Sequence, residues 1–380
     1  MTWQEFEQRF SIQLNEQQKQ AVQTVEGPVL LLAVPGSGKT TVLVTRLGYM
    51  IHCKGIDPRR ILTVTYTVAA TKDMAARFAA KFGPKLAEQL EIRTINGICA
   101  KVLQYYGYRT GKTPHQLLND EKRIAGILAE IYQRVERVYP TDGDLKNIRM
   151  LITYIKNMML NEDEIEALDE GTECKISVIY REYCSKLKEL QMIDYDDQMV
   201  YAYVMLKKIP WLLAYFQELY PYICVDEAQD TSKIQHAIIA LLAARMENLF
   251  MVGDEDQSIY GFRAAYPEAL LEFEQRHRGA KVLLMEENFR SDANIVAAAD
   301  HFIQKNTLRH EKHMRAFRES VQQIKEIPVG TRKAQYAYLA KVAEGCTTET
   351  AVLYREHECA LPLIDLLERK GIPYRMRNAE

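Results

Sequence analysis

The chain has 380 residues, enough for two or three domains, and its 47% hydrophobic and 26% charged residues allow a sizeable core. Lys plus Arg number 49 against 51 Asp plus Glu, and a net charge of −2 neither demands nor excludes nucleic acid, which needs only a local basic stripe. Seven cysteines without a CxxC pair, a polar N-terminus and apolar runs such as VLLLAV (29–34) that are far too short for a bilayer argue against a disulfide scaffold or a bilayer span, and for a cytoplasmic chain with no membrane role.

In chain order, the first strand-like run is PVLLLA (28–33), followed by a helical pattern over 38–53, and then ILTVT (61–65). Between about 104 and 192 the pattern becomes amphipathic and helical, as in DEKRIAGILAEIYQRVERVY and KISVIYREYCSKLKEL. Strand-like runs return at YICVD (222–226), LFMVGD (249–254) and KVLLM (281–285). These runs are rich in Val, Ile and Leu without polar alternation, which suits strands covered on both faces of a parallel sheet. After about 291 come a helix, a polar stretch, AVLY (351–354), a helix to about Lys370, and PYRM (373–376). The expected fold class is α/β. One domain is built from 1–103 and 193–290 and is split by a helical insertion at 104–192, and 291–380 begins a second α/β unit.

AVPGSGKT (33–40) joins the first strand to the first helix, and such a turn aims backbone N–H groups and the positive end of a helix at one spot. Gly36 and Gly38 allow close approach, Lys39 reaches β- and γ-phosphates, and the Thr40 hydroxyl ligates Mg²⁺. The alternative is a Gly-rich turn without a ligand. YICVDEAQD places two carboxylates at a strand end, where Asp226 suits the metal and Glu227 suits the general base that polarises the attacking water. A lone acidic pair would read as a solvated loop; the partner turn reverses that. In VGDEDQSIYGFR (252–263) another strand ends in Asp254, and Gln257 stands where an amide meets a γ-phosphate or the water.

Taken together, these residues resemble the UvrD/PcrA/Rep group of superfamily 1 DNA helicases, in order along nearly the whole chain. LNEQQKQAV (14–22) resembles the Q motif, which implies that Gln18 reads the adenine edge. AVPGSGKT resembles motif I, which in this group also opens with alanine, so that Pro35, Ser37 and Thr41 join the nucleotide cradle. ILTVTYT (61–67) resembles motif Ia, DEAQDT (226–231) motif II, VGDEDQSIYGFR motif III and ENFRS (287–291) motif IV. The last implies that Phe289 stacks on adenine and Arg290 reaches the γ-phosphate. The resemblance implies two RecA-like P-loop NTPase domains with ATP and Mg²⁺ between them, and single-stranded DNA or a duplex/single-strand junction as partner. It leaves protein partners undefined. Stacking and backbone electrostatics bind such DNA. Tyr66 and Phe262 are the stacking candidates, Thr94 lies beside them, and Arg263 ties DNA to the nucleotide; core aromatics are the alternative for Tyr66 and Phe262.

Three stretches depart from the group. Val68 and Ala69 replace an Asn-Lys pair, Ile95 and Asn96 replace an aromatic and a histidine, and Thr41 replaces a common arginine. Members of the group are also much longer, and an arginine that closes on the γ-phosphate lies beyond the equivalent of Glu380. Losing such an arginine costs about 10³ or more in rate. The expectation is a fragment or a naturally short relative that binds ATP–Mg²⁺, hydrolyses it poorly and does not unwind DNA. Two other readings stand beside the 3′→5′ helicase motor: a nucleotide-dependent DNA-binding or regulatory protein, and the motor part of a helicase–nuclease subunit. His310 and His313 read as a solvated helix face, and the acidic run IDYDDQM (193–199) as a helix cap.

Overall fold

The computed structural model describes residues 1–261 and 264–376. Its strands, in chain order, are β1 (Val29–Ala33), β2 (Ile61–Thr65), β3 (Glu91–Thr94), β4 (Gln116–Leu117), β5 (Met192–Ile193), β6 (Tyr222–Val225), β7 (Asn248–Gly253), β8 (Lys281–Met285), β9 (Glu287–Asn288) and β10 (Arg315–Ala316). Six of them form one sheet in the order β3-β2-β6-β7-β1-β8, with every pairing parallel. The chain forms two compact units, Met1–Val321 and Gln322–Glu380.

The apolar strands are continuous because both faces of the sheet are covered. Leu30 and Leu32 of β1 join Leu62, Val64, Ile223, Val225, Leu249 and Met251 on one face, under helices Ile95–Thr110, Tyr195–Lys208, Pro210–Leu219 and Lys233–Ala243. Val29, Leu31 and Ala33 join Ile61, Cys224, Phe250 and Val252 on the other, under helices Trp3–Phe10, Glu16–Gln23, Lys39–His52 and Val68–Phe82. Side chains alternate across a strand, so a run such as VLLLA feeds both cores at once. The strand ends then deliver the loop after Ala33, Tyr66, Asp226 and Asp254 to the carboxyl edge of the sheet, where ligands bind in folds of this class.

The helical insertion has its own core, from Leu118 through Ile124, Leu128, Ile152 and Tyr183 to Met192. The chain enters it through β4 and leaves through β5, which pair in parallel as a short clasp. Helix Ile95–Thr110 runs through residue 104 and buries Ile98 and Val102 in the sheet core. The acidic run acts as a cap: Asp194 accepts from the Asp197 N–H at 2.7 Å at the start of helix Tyr195–Lys208. It also meets buried Lys156 at 2.7 Å.

Helix Ala293–Ile303 and the β9–β10 pair belong to the first unit. In the second unit, helices Arg332–Glu344 and His357–Arg369 pack through Ala340, Leu363 and Leu367. The strands expected at 351–354 and 373–376 do not form; Val352, Leu353 and Tyr354 are exposed. A strand needs a neighbour for its backbone groups, and none exists among the described residues of this unit.

Candidate nucleotide-binding site

After β1 the chain turns with Gly36 at φ +71° and Gly38 at φ +88°. Glycine takes these angles without strain, and a Cβ on Gly36 would lie 2.8 Å from the Arg290 Cβ. Three successive carbonyls of the turn are tied to the protein. Asn288 Nδ2 donates to Pro35 O at 2.7 Å, the Phe289 N–H to Gly36 O at 3.0 Å, and Gln18 Nε2 to Ser37 O at 2.9 Å. In a trans peptide the N–H points away from its carbonyl, so these ties turn the N–H groups of Gly36 and Gly38 to the opposite side. Gly38 begins helix Lys39–His52 without a side-chain cap, which leaves the positive helix end free of a competing side-chain acceptor. The Ser37 hydroxyl is buried and donates to Val34 O at 2.7 Å. Thr40 is half-buried in the first helical turn, and Thr41 is exposed.

Lys39 Nζ lies 3.2 Å from Glu227 Oε2. Glu227 sits at φ +48°, directly after Asp226, whose N–H continues the β2–β6 ladder to Val64 O at 2.9 Å. Burial pushes the Asp226 carboxyl up to about 6, with Glu227 adding to the effect and Lys39 opposing it. Asp230 rises to about 6 for the same reasons, and its buried Oδ1 has no hydrogen-bond partner. Gln229 then spans to the next strand: its Nε2 donates to Glu227 Oε2 at 2.9 Å, and its Oε1 accepts from the Asp254 N–H at 3.1 Å. Gln257 Nε2 donates to Asp254 Oδ2 at 2.7 Å. Lys39, Glu227, Gln229, Asp254 and Gln257 thus form one connected polar chain across β1, β6 and β7.

These oxygen donors suit a hard cation, but they are sparse. Among the described residues no group of three or more His, Cys, Asp or Glu side chains forms a metal site. An ion here would take much of its shell from a bound phosphate and from water. The same observation applies to His310 and His313, which lie in irregular chain and not on the expected helix. Carboxylates explain this path: His310 N–H donates to Glu255 at 2.8 Å and His313 N–H to Glu286 at 3.1 Å.

Residues 14–278 match the UvrD/REP helicase N-terminal domain, and 283–380 match the UvrD-like helicase C-terminal domain. The chain belongs to the UvrD/REP helicase family. It is 31% identical over 373 residues to the ATP-dependent DNA helicase PcrA of Staphylococcus epidermidis, covering 96% of this chain and 50% of that protein. PcrA of Bacillus subtilis is 34% identical over 303 residues, covering 79% of this chain and 41% of its own length. PcrA of Leuconostoc citreum is 30% identical over 371 residues, covering 96% and 49%. The chain therefore spans about half the length of these relatives or less.

Within this UvrD/REP frame the structure gathers the nucleotide candidates and leaves the DNA candidates more scattered. Gln18 is buried, and both ends of its amide are engaged: Oε1 accepts from the Asn15 N–H at 3.1 Å while Nε2 holds Ser37 O. Arg290 is exposed beside Gly36, and the Phe289 ring lies 5.0 Å from that of Phe317. Tyr66 is half-buried and stacks on Tyr260 at 6.0 Å. The Thr94 hydroxyl caps helix Ile95–Thr110 by accepting from the Gly97 N–H at 3.1 Å. Phe262 and Arg263 lie outside the described residues. Asn288, Asn15 and Gln229 had no reading of their own in the sequence, although each stands inside a motif. Asn288 is buried and binds both the Pro35 carbonyl and the Arg290 N–H, while Asn15 Nδ2 donates to Glu287 at 2.7 Å.

Proposed function

We propose that this chain is the ATP-binding motor portion of a DNA helicase, with residues 1–103 and 193–290 as the first RecA-like motor domain, 104–192 as its insertion and 291–380 as the start of the second. The observation that carries the proposal is the turn at Pro35–Thr40, whose carbonyls are held from one side while Lys39 and the raised Asp226 carboxyl stand at its mouth. Lys39 exchanges its contact with Glu227 for the β- and γ-phosphates, and Glu227, so released, orients the attacking water. Thr40 and Asp226 would hold Mg²⁺. The ion would neutralise phosphate charge, and a desolvated carboxyl whose pKa is raised is the group that gains most from a cation. Gln257 and Arg290 contact the γ-phosphate, Phe289 stacks on adenine, and Gln18 sets the adenine side through Ser37.

Single-stranded DNA, or its junction with a duplex, crosses the carboxyl edge of the sheet at Tyr66; Thr94, Phe262 and Arg263 are the further candidate contacts, the last two by motif alone. Polarity is 3′→5′ and the setting cytoplasmic, as the family resemblance implies; no described helix is long and apolar enough to cross a membrane. Exposed Val68, in place of a polar phosphate contact, favours a second reading, a nucleotide-dependent DNA-binding protein that does not unwind. ATP turnover on the 380-residue polypeptide, with and without single-stranded DNA, tests the motor reading. Turnover that DNA stimulates and that Lys39→Ala abolishes is the expected result. Turnover unaffected by Lys39→Ala would sink the site assignment.

A further inference from the structure

Three adjacent carboxylates, Asp254, Glu255 and Asp256, follow β7 and are nearly buried. Such a cluster is stable only with cations against it. The cations come from residues 309–312. Lys312 is 2% exposed, and its Nζ lies 3.2 Å from Asp254 Oδ1, 2.7 Å from Glu255 Oε1 and 2.9 Å from Asp256 Oδ2. Arg309 grips Asp256 through Nε at 3.0 Å and Nη2 at 2.8 Å. Burial alone would lower the Lys312 pKa, but the three carboxylates raise it, and Glu255 is held down to about 2 against its own burial.

Asp254 is the node of this lock. One oxygen faces Lys312 and the other accepts from Gln257 Nε2 at 2.7 Å, while its N–H meets Gln229, which reaches Glu227. Lys312 touches none of the nucleotide candidates itself. We propose that Lys312 is a positioning residue for Gln257: by fixing the Asp254 carboxylate it sets the direction of the Gln257 amide, and with it the preference of the site for a nucleoside triphosphate over a diphosphate. The inference rests on the nucleotide-site reading above. Arg309 contributes by holding Asp256, which keeps Lys312 seated between its partners.

The test is the affinity ratio between a non-hydrolysable ATP analogue and ADP, measured by equilibrium binding with Mg²⁺. Lys312→Met is expected to cut the ratio about tenfold, the worth of one hydrogen bond to a charged group, with ADP affinity retained. Gln257→Ala gives the same loss, the double variant gives no further loss, and Lys312→Arg restores part of the ratio. Should Lys312→Met fail to fold, Asp254→Asn keeps the shape and removes the charge that Lys312 holds, with the same expected loss. An unchanged ratio in a folded variant, or losses that add to that of Gln257→Ala, overturns the inference alone. A wild-type chain that binds neither nucleotide overturns the site reading and the inference together.

Discussion

Asp226 shows most directly what a residue surrenders to occupy this site. Its carboxyl rises from 3.8 to about 6 because it is buried beside Glu227, so the folded state holds its proton more tightly than the unfolded state does. With a raised carboxyl, stability falls as pH climbs through the window from 3.8 to about 6, and the deficit persists above it. In Mg²⁺-free buffer at pH 7.5, Asp226→Asn is expected to raise the free energy of unfolding by about 2–3 kcal/mol. The two proteins should converge near pH 4, and chemical denaturation at both pH values measures this. Equal stability at pH 7.5 contradicts the electrostatic account. Lys39, Thr40 and Asp226 stand out as candidates in the sequence because their places at strand end, turn and helix start suit phosphate and metal chemistry. Asn288 and Gln229 do not, because an amide carries no signal until the chain places it against a particular carbonyl or carboxylate.

Among the elements, helix Glu16–Gln23 is held to the P-loop helix by one buried side chain. Arg46, in helix Lys39–His52, donates to the carbonyls of Ala21 at 2.8 Å, Thr24 at 2.5 Å and Val25 at 3.3 Å, and lies 3.9 Å over the Phe250 ring. These carbonyls belong to the last turn of the helix and the two residues that follow it, where carbonyls lack intrahelical donors. Arg46→Met is expected to cost about 3 kcal/mol or more in a denaturant titration, and to weaken nucleotide binding by loosening Gln18 from Ser37. A loss below about 1 kcal/mol would mean that solvent satisfies those carbonyls. The five apolar strands of the sheet were legible from their runs. The sixth, β3, escaped notice because EIRT is a short edge strand whose side chains are half-exposed and carry no apolar run. Residues 310–313 differ from the expected helix for a related reason: i, i+3 spacing suits a helix, but the His310 and His313 N–H groups donate to Glu255 and Glu286 instead of to helical carbonyls.

For the whole molecule, the family assignment followed from motif order and the parallel α/β architecture from the apolar strand runs alternating with helical patterns. The limits of the insertion carry a weaker signal, since an amphipathic helix such as Ile95–Thr110 reads the same whether it serves the sheet core or the insertion. The wall that carries Lys39, Asp226, Glu227 and Gln257 is assembled within the first unit, and this wall is proposed to suffice for binding ATP with Mg²⁺. Equilibrium titration of a fluorescent ATP analogue into the 380-residue polypeptide tests that claim most directly, run with and without Mg²⁺ and repeated with Lys39→Ala. Saturable, Mg²⁺-dependent binding that weakens at least about tenfold in a folded Lys39→Ala variant is the predicted result. No binding by the wild-type chain, or equal binding by both proteins, would contradict it.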